Sequence, residues 1–433
     1  MSSTTNPTLK RPLVTGDKSI SPPPGKRKIL STTTKTAVAG FFTPASKKEP
    51  EKLTWHIIDD SLLIGRFARS IRPPWEKSSL KPGNEQDSTL IKTKQGQPHA
   101  RDAADWTWWH PGVPGKLKDL HEKGFEVVVL SNQGGISLKN NPKTLKGDMK
   151  RLTTFKEKVS AILQQLDFPI NVYAATSRDR YRKPRLGMWK EMLEEFDLDM
   201  AQSVDAEKSF FVGDAGGRSI ETGATQDHSS SDRDFAANIG ISFHTPEEYF
   251  LQEEARPFTR TFDPAAYLLK ATATSKDAAS AFAPKHGLEI VLFCGSPGAG
   301  KSTFYREYLK PHGYERVNQD TLKTRDKCLA AASDHLSNGK SVAVDNTNAD
   351  VDVRAKWVGL AHDFKVPIRC IYFTAPPLVC QHNDAVRALN GPRMNPESRT
   401  MLPSAAFRNY LSRFQPPKLE EGFEEIIPVV FQA

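Results

Sequence analysis

Hydrophobic and polar positions divide this chain into three stretches and a spacer. Residues 1–50 carry no apolar periodicity and are rich in Ser, Thr, Pro and Lys. A segment with so little to bury predicts a disordered tail. From 51 to 270, apolar runs alternate with amphipathic ones. Val127-Val128-Val129-Leu130, Ile170–Ala175 and Ser209–Val212 read as buried strands, and Phe155–Leu166 reads as an amphipathic helix. Residues 271–286 are rich in Ala, Ser and Lys and read as a linker. From 287 to 433 the alternation resumes. Strands are expected at Ile290–Phe293, Ser341–Val344 and Ile368–Phe373, and a helix at Thr303–Leu309. Such alternation predicts two α/β domains, 51–270 and 287–433, each built on a parallel sheet. No internal repeat is evident.

Composition sharpens this picture. The 433 residues carry a net charge of +9, which points to an anionic partner such as nucleic acid. Cys294, Cys328, Cys370 and Cys380 show no C-x-x-C spacing, so buried reduced thiols in an intracellular compartment are expected rather than disulfides or zinc. No run of eighteen apolar residues exists, and no membrane span is expected. In the tail, Lys10-Arg11 and Lys26-Arg27-Lys28 are spaced like a bipartite nuclear-import signal, so the expected location is the nucleus. The spacing Lys35-x-x-Val38-x-x-Phe41-Phe42 resembles a sliding-clamp-binding peptide, with Lys35 where that motif has Gln. A sliding clamp is therefore a candidate partner.

The densest chemistry lies at Gly295-Ser296-Pro297-Gly298-Ala299-Gly300-Lys301-Ser302, which fits G-x-x-x-x-G-K-[ST] between an apolar strand and a helix. Gly295, Gly298 and Gly300 let backbone N–H groups curl around phosphate oxygens, and the helix that follows, with Thr303, adds partial positive charge. Lys301 is placed to reach the β- and γ-phosphates of ATP, and the Ser302 hydroxyl to ligate Mg²⁺. Phosphoryl transfer also needs a proton acceptor and cations for the transition-state charge. Asp320, in Val317-Asn318-Gln319-Asp320-Thr321, is the candidate general base. Arg387 and Arg393 lie in a polar, Pro-containing segment suited to a lid, with Arg387 the candidate transition-state cation.

With Val342-Ala343-Val344-Asp345-Asn346-Thr347-Asn348 added, residues 287–433 resemble the kinase domain of polynucleotide kinase 3′-phosphatases. The resemblance implies that Asp320 deprotonates a nucleic-acid 5′-hydroxyl and that Asp345 sits beside the metal. By position it also gives Lys323 a hold on the acceptor strand's phosphate. In the lid, Ala385 falls where relatives often carry Arg, while Arg387 keeps the second position of that pair.

Residues 87–245 carry the other half of the resemblance, to haloacid-dehalogenase-like 3′-phosphatases. Asp87-Ser88-Thr89 resembles the end of D-x-D-[GS]-T. Ser131, in Leu130-Ser131-Asn132-Gln133, would bind phosphate as a hydroxyl, and Lys183, in Tyr181-Arg182-Lys183-Pro184, would neutralise its charge. Asp214, in Gly213-Asp214-Ala215-Gly216-Gly217, would hold Mg²⁺, with Asp232 a second acid near the metal. The mechanism needs a first Asp as nucleophile and a second as acid and base. Asp87 fits the second role, but Glu85 occupies the first. The preceding Ser78-Ser79-Leu80-Lys81-Pro82-Gly83-Asn84 is polar, where relatives have an apolar central strand. Either the nucleophile has been lost, or a misplaced splice junction has replaced this segment. His56-Ile57-Ile58-Asp59-Asp60-Ser61-Leu62-Leu63 is no substitute, because adjacent acids on a strand point to opposite faces.

The reading is a nuclear DNA-end-processing enzyme with ATP and Mg²⁺ as cofactors. It would act on DNA ends bearing 5′-hydroxyls or 3′-phosphates. The alternatives are a kinase whose phosphatase-like half only binds DNA, a non-catalytic repair scaffold, and a small-molecule kinase.

Overall fold

The computed structural model describes residues 52–68, 89–97, 100–196, 204–220, 226–260, 262–267 and 282–430. The tail with its basic clusters and clamp-like peptide, the segment with Glu85 and Asp87, and residues 271–281 lie outside the described residues.

The described residues open with an antiparallel hairpin of β1 (Leu53–Ile58) and β2 (Leu62–Phe67). Asp59 and Asp60 make its turn, with φ of 51° and 50°. They are therefore not strand neighbours on opposite faces. Asp tolerates the left-handed region, and the Asp59 carboxylate accepts hydrogen bonds from Arg180 Nη2 at 2.8 Å and the Tyr181 hydroxyl at 2.9 Å. A short ribbon, β3 (Ile91–Lys92) with β4 (Thr107–Trp108), follows. β5 (Val128–Asn132) pairs in parallel with β6 (Ile170–Ala175), and β6 pairs antiparallel with β2, giving the order β1-β2-β6-β5. The wholly parallel sheet expected from the alternation is thus mixed. A hairpin joined by a tight turn precedes the βα units and sits beside β6. β7 (Phe210–Val212) and β8 (Ser242–His244) form a parallel pair.

Alternate side chains face opposite layers, as the strand period requires. Leu63, Val129, Val172 and Val212 share a core with helices Val113–Glu122 and Leu145–Leu166. Leu62, Val128, Leu130, Tyr173 and Phe211 pack against helices Gly187–Glu195 and Ser231–Ile239. Helix Leu145–Leu166 starts ten residues before the apolar pattern predicts. Its first turns expose Lys146, Lys150 and Arg151 and bury little that a periodicity search detects.

The second sheet is wholly parallel. Its strands are β9 (Ile290–Cys294), β10 (Glu315–Val317), β11 (Val342–Val344), β12 (Ile368–Phe373) and β13 (Glu425–Val429), in the order β10-β11-β9-β12-β13. Central β9 is fully buried, as a parallel strand covered on both faces should be. Ile290, Leu292 and Cys294 pack with helices Arg325–Ser337 and Val351–Phe364. Val291 and Phe293 pack with the helix that begins at Lys301 and with Cys380 and Phe407 of helices Pro377–Leu389 and Ser404–Arg413. Residues 282–286, read from composition as linker, belong to this body. Phe282 is buried against Phe304 and Tyr314, while Lys285 and His286 pair with Glu425 and Glu424. One buried aromatic leaves no periodic signal. The four cysteines are buried and free. No helix among the described residues is long and apolar enough to cross a membrane.

Candidate active sites

The loop after β9 has the geometry its glycines predict. Gly298 and Gly300 adopt φ of 76° and 96°, and a Cβ on Gly298 would stand 2.2 Å from the Cys380 carbonyl oxygen. A Cβ on Gly295 would meet Phe373 at 2.7 Å. Only glycine fits both the dihedral and the space at Gly298. Lys301 begins the helix and is nearly buried; its Nζ donates to the carbonyls of Gly295 at 3.0 Å and Ser296 at 2.6 Å. Burial pulls its ammonium below the usual lysine range, with the charge of Asp345 opposing. The Ser296 hydroxyl oxygen is buried beside the Cys380 thiol. Thr303 is exposed, and its hydroxyl accepts from Arg306 Nη2 at 3.1 Å.

Ser302 and Asp345 meet: the hydroxyl donates to Asp345 Oδ2 at 2.8 Å. A hydroxyl and a buried carboxylate are hard oxygen donors of the kind Mg²⁺ takes. Arg316, on β10, donates to the same carboxylate oxygen from Nε at 2.7 Å and to Ser302 Oγ from Nη2 at 3.0 Å. Nothing in the sequence singled Arg316 out.

Asp320 lies in a one-turn helix, Gln319–Leu322, directly after β10. Asn318 caps it, its side-chain oxygen accepting from the N–H of Asp320 at 2.8 Å and of Thr321 at 3.4 Å. The Asn318 side-chain amide donates to the Asp345 carbonyl, and Asn346 Oδ1 accepts from the Gln319 N–H at 2.8 Å. Asn348 Nδ2 reaches the Phe293 carbonyl at 2.7 Å, and Gly295 N–H the Thr347 carbonyl at 3.1 Å. The asparagines of the two motifs thus lace Asp320, Asp345 and the glycine-rich loop together. The Asp320 side chain is 74% exposed and stands 3.3 Å from Arg399 Nη1. Lys323, at φ 74°, turns its Nζ back to the Asp320 carbonyl at 2.8 Å.

Arg387 is on helix Pro377–Leu389, paired with the buried Asp384. Its Nε is buried without a hydrogen-bond partner. Asp384 also accepts from the Leu402 N–H at 2.7 Å. Arg393 is exposed on the short helix Gly391–Met394.

In the first half, Lys183, Asp214 and Asp232 converge at the ends of β5 and β7. Lys183 Nζ stands 2.9 Å from Asp232 Oδ1 and donates to the Leu130 carbonyl at 2.8 Å. Burial pulls Lys183 below its usual range, against the charge of Asp232. Asp232 Oδ2 accepts from the Ala215 N–H at 3.1 Å. Asp214 is pushed up to about 6, by burial first and then by the charge of Asp232. Thr89 Oγ1 donates to Asp214 Oδ1 at 3.3 Å, which ties the end of the first phosphatase motif to the fourth. Ser131 is fully buried and its hydroxyl accepts from Gln133 Nε2 at 2.8 Å. Two crowded carboxylates, Asp214 and Asp232, fit a divalent cation. Among the described residues no three acidic, His or Cys side chains form such a cluster; Glu85 and Asp87 lie outside them.

The family model described as polynucleotide kinase 3 phosphatase matches residues 85–250, and that described as AAA domain matches residues 290–417. The bifunctional polynucleotide phosphatase/kinase of Schizosaccharomyces pombe is 39% identical over 382 residues, which cover 88% of this chain and 85% of that protein. A polynucleotide 3′-phosphatase of Arabidopsis thaliana is 36% identical over 166 residues, 36% of this chain and 22% of that protein.

Proposed function

The chain belongs to the bifunctional polynucleotide phosphatase/kinase family, and from that premise we propose how its two α/β halves process DNA ends. The second half phosphorylates 5′-hydroxyls with ATP; the first removes 3′-phosphates. Together they leave the termini that a ligase joins.

The observation that carries the kinase reading is the lacing of Asp320, Asp345 and the Lys301 loop at one end of the second sheet. Lys301 and the loop N–H groups hold the β- and γ-phosphates. Ser302 and Asp345 hold Mg²⁺, which when bound neutralises charge on the phosphate oxygens. Asp320 takes the proton from the 5′-hydroxyl as its oxygen attacks the γ-phosphorus and the bond from that phosphorus to the β,γ-bridging oxygen breaks, so that ADP leaves. Arg387 stays our candidate for the transition-state charge. In the phosphatase half, Ser131 and Lys183 grip the 3′-phosphate, Asp214 and Asp232 hold Mg²⁺, and Asp87 protonates the leaving oxygen. Glu85 stands where the nucleophile is required.

Transfer of label from γ-labelled ATP to an oligonucleotide with a free 5′-hydroxyl tests the kinase half. Lys301→Ala and Asp320→Ala should each cost on the order of 10²-fold or more. Labelling by either variant at the wild-type rate would remove the reading. Phosphate release from a 3′-phosphorylated oligonucleotide, lost on Asp87→Ala, tests the other half. We also propose that the basic clusters of the tail direct the protein to the nucleus and that Phe41 and Phe42 contact a sliding clamp. A tagged tail that stays cytoplasmic, or clamp capture unaffected by Phe41→Ala/Phe42→Ala, removes the corresponding idea.

A further inference from the structure

Arg399 belongs to no motif, yet it is held with unusual completeness. Asn395 clips its backbone twice, accepting from the Arg399 N–H at 2.9 Å and donating to its carbonyl at 2.7 Å. Its guanidinium clasps Glu397 from Nε at 2.8 Å and from Nη2 at 2.6 Å. That leaves Nη1 facing Asp320 Oδ2 at 3.3 Å. Glu397 is gripped from the other side by Arg316 Nη1 at 2.9 Å, and Arg316 rests on Asp345 and Ser302. Burial opposes ionisation of Glu397, but Arg316 and Arg399 together hold its carboxyl below the usual range. A continuous run of ion pairs thus links Asp320, Arg399, Glu397, Arg316 and Asp345, and hydrogen bonds from Arg316 and to Asp345 carry it on to Ser302 of the phosphate loop.

An exposed ion pair adds little stability, so the Arg399–Asp320 contact has no strong structural purpose. Asp320 sits on a single helical turn with its carboxylate three-quarters exposed, and an unguided base there would sample several rotamers. Phosphoryl transfer penalises such freedom, since displacement by an ångström costs about 10²-fold. We propose that Arg399 is a positioning residue for the kinase reaction, aiming the Asp320 carboxylate at the acceptor hydroxyl, and that Glu397 fixes its distance from the Ser302–Asp345 pair through Arg316. This rests on the kinase reading above.

The test is steady-state labelling of a 5′-hydroxyl oligonucleotide by the full chain with ATP varied, for wild type, Lys301→Ala, Arg399→Ala, Arg399→Lys and Glu397→Gln. Arg399→Ala should lower kcat by roughly 10- to 100-fold while the KM for ATP stays within about twofold, because the base and not the nucleotide is misplaced. Arg399→Lys should recover part of the loss. Guanidinium ion at low concentration should raise the rate of Arg399→Ala and not that of Lys301→Ala, a response that a merely structural arginine would not give. Glu397→Gln should fall between. An Arg399→Ala kcat within about twofold of wild type overturns the proposal while leaving the kinase reading intact. So does a KM for ATP that climbs in step with the fall in kcat. A wild-type chain that labels nothing overturns the kinase reading itself.

Discussion

Lys183 and Asp232 meet at 2.9 Å with 0% and 2% of their side chains exposed. Asp214 adds a second carboxylate charge beside Lys183. The ammonium is therefore the counter-charge of a buried acidic site. Lys183→Met should destabilise the protein by about 3–5 kcal/mol, because it strands buried carboxylate. Chemical denaturation checks this. A loss confined to phosphatase rate, with unchanged midpoint, would show that the pair contributes nothing to the fold.

Asp214 gives the same site a pH signature. Burial, then the charge of Asp232, raises its folded pKa to about 6 from 3.8. The folded state binds the proton more tightly than the unfolded one, so this group erodes stability as pH rises from about 4 to about 6, and the penalty persists above. A cation bound by the ionised form relieves it. Mg²⁺ should therefore raise Tm more at about pH 7.5 than at about pH 5, and Asp214→Asn should shrink that difference. An equal Mg²⁺ increment at both pH values in wild type would contradict this.

Gly298 and Gly300 should differ on substitution. In Gly298→Ala the new Cβ meets the Cys380 carbonyl at 2.2 Å, whereas in Gly300→Ala it meets nothing within 4 Å. The second variant bears only the left-handed backbone, about 1–2 kcal/mol. We expect Gly298→Ala to abolish ATP binding and Gly300→Ala to weaken it, as read by titration with a fluorescent ATP analogue. The reverse order would mean that the loop moves off helix Pro377–Leu389 at little cost.

Arg369, on β12, and Glu289, just before β9, form a bidentate pair at 2.6 and 2.5 Å, both fully buried. Either single change, Arg369→Met or Glu289→Met, should cost about 3–5 kcal/mol, while the double variant should cost less than the sum. A double-mutant cycle by urea unfolding measures the coupling, and simple additivity would count against a direct pair.

Glu85→Asp should raise 3′-phosphate release by roughly 10- to 100-fold, since shortening the side chain by one methylene brings the attacking oxygen back by about an ångström. An unchanged rate would mean that the residues before position 85, and not the extra methylene, limit the phosphatase.

The sequence by itself determined every element whose signal is local. The strands β6 and β12 were legible to the residue, because a short, mostly apolar run buried on both faces stands out from its polar flanks. The phosphate loop was legible because its φ angles and close contacts admit only glycine. The family was legible because whole motifs recur in order. What the tertiary structure alone decided is non-local. The antiparallel place of β2 depends on which strand's edge is free beside it. The membership of Phe282 in the kinase core depends on a contact with Phe304 and Tyr314, each more than twenty residues away. Arg399 reaches Asp320, 79 positions earlier in the chain, only because helix Pro377–Leu389 and the turn at Asn395 carry it back. Charge pairs of that kind have no period and no preferred spacing, so only the folded chain brings them together.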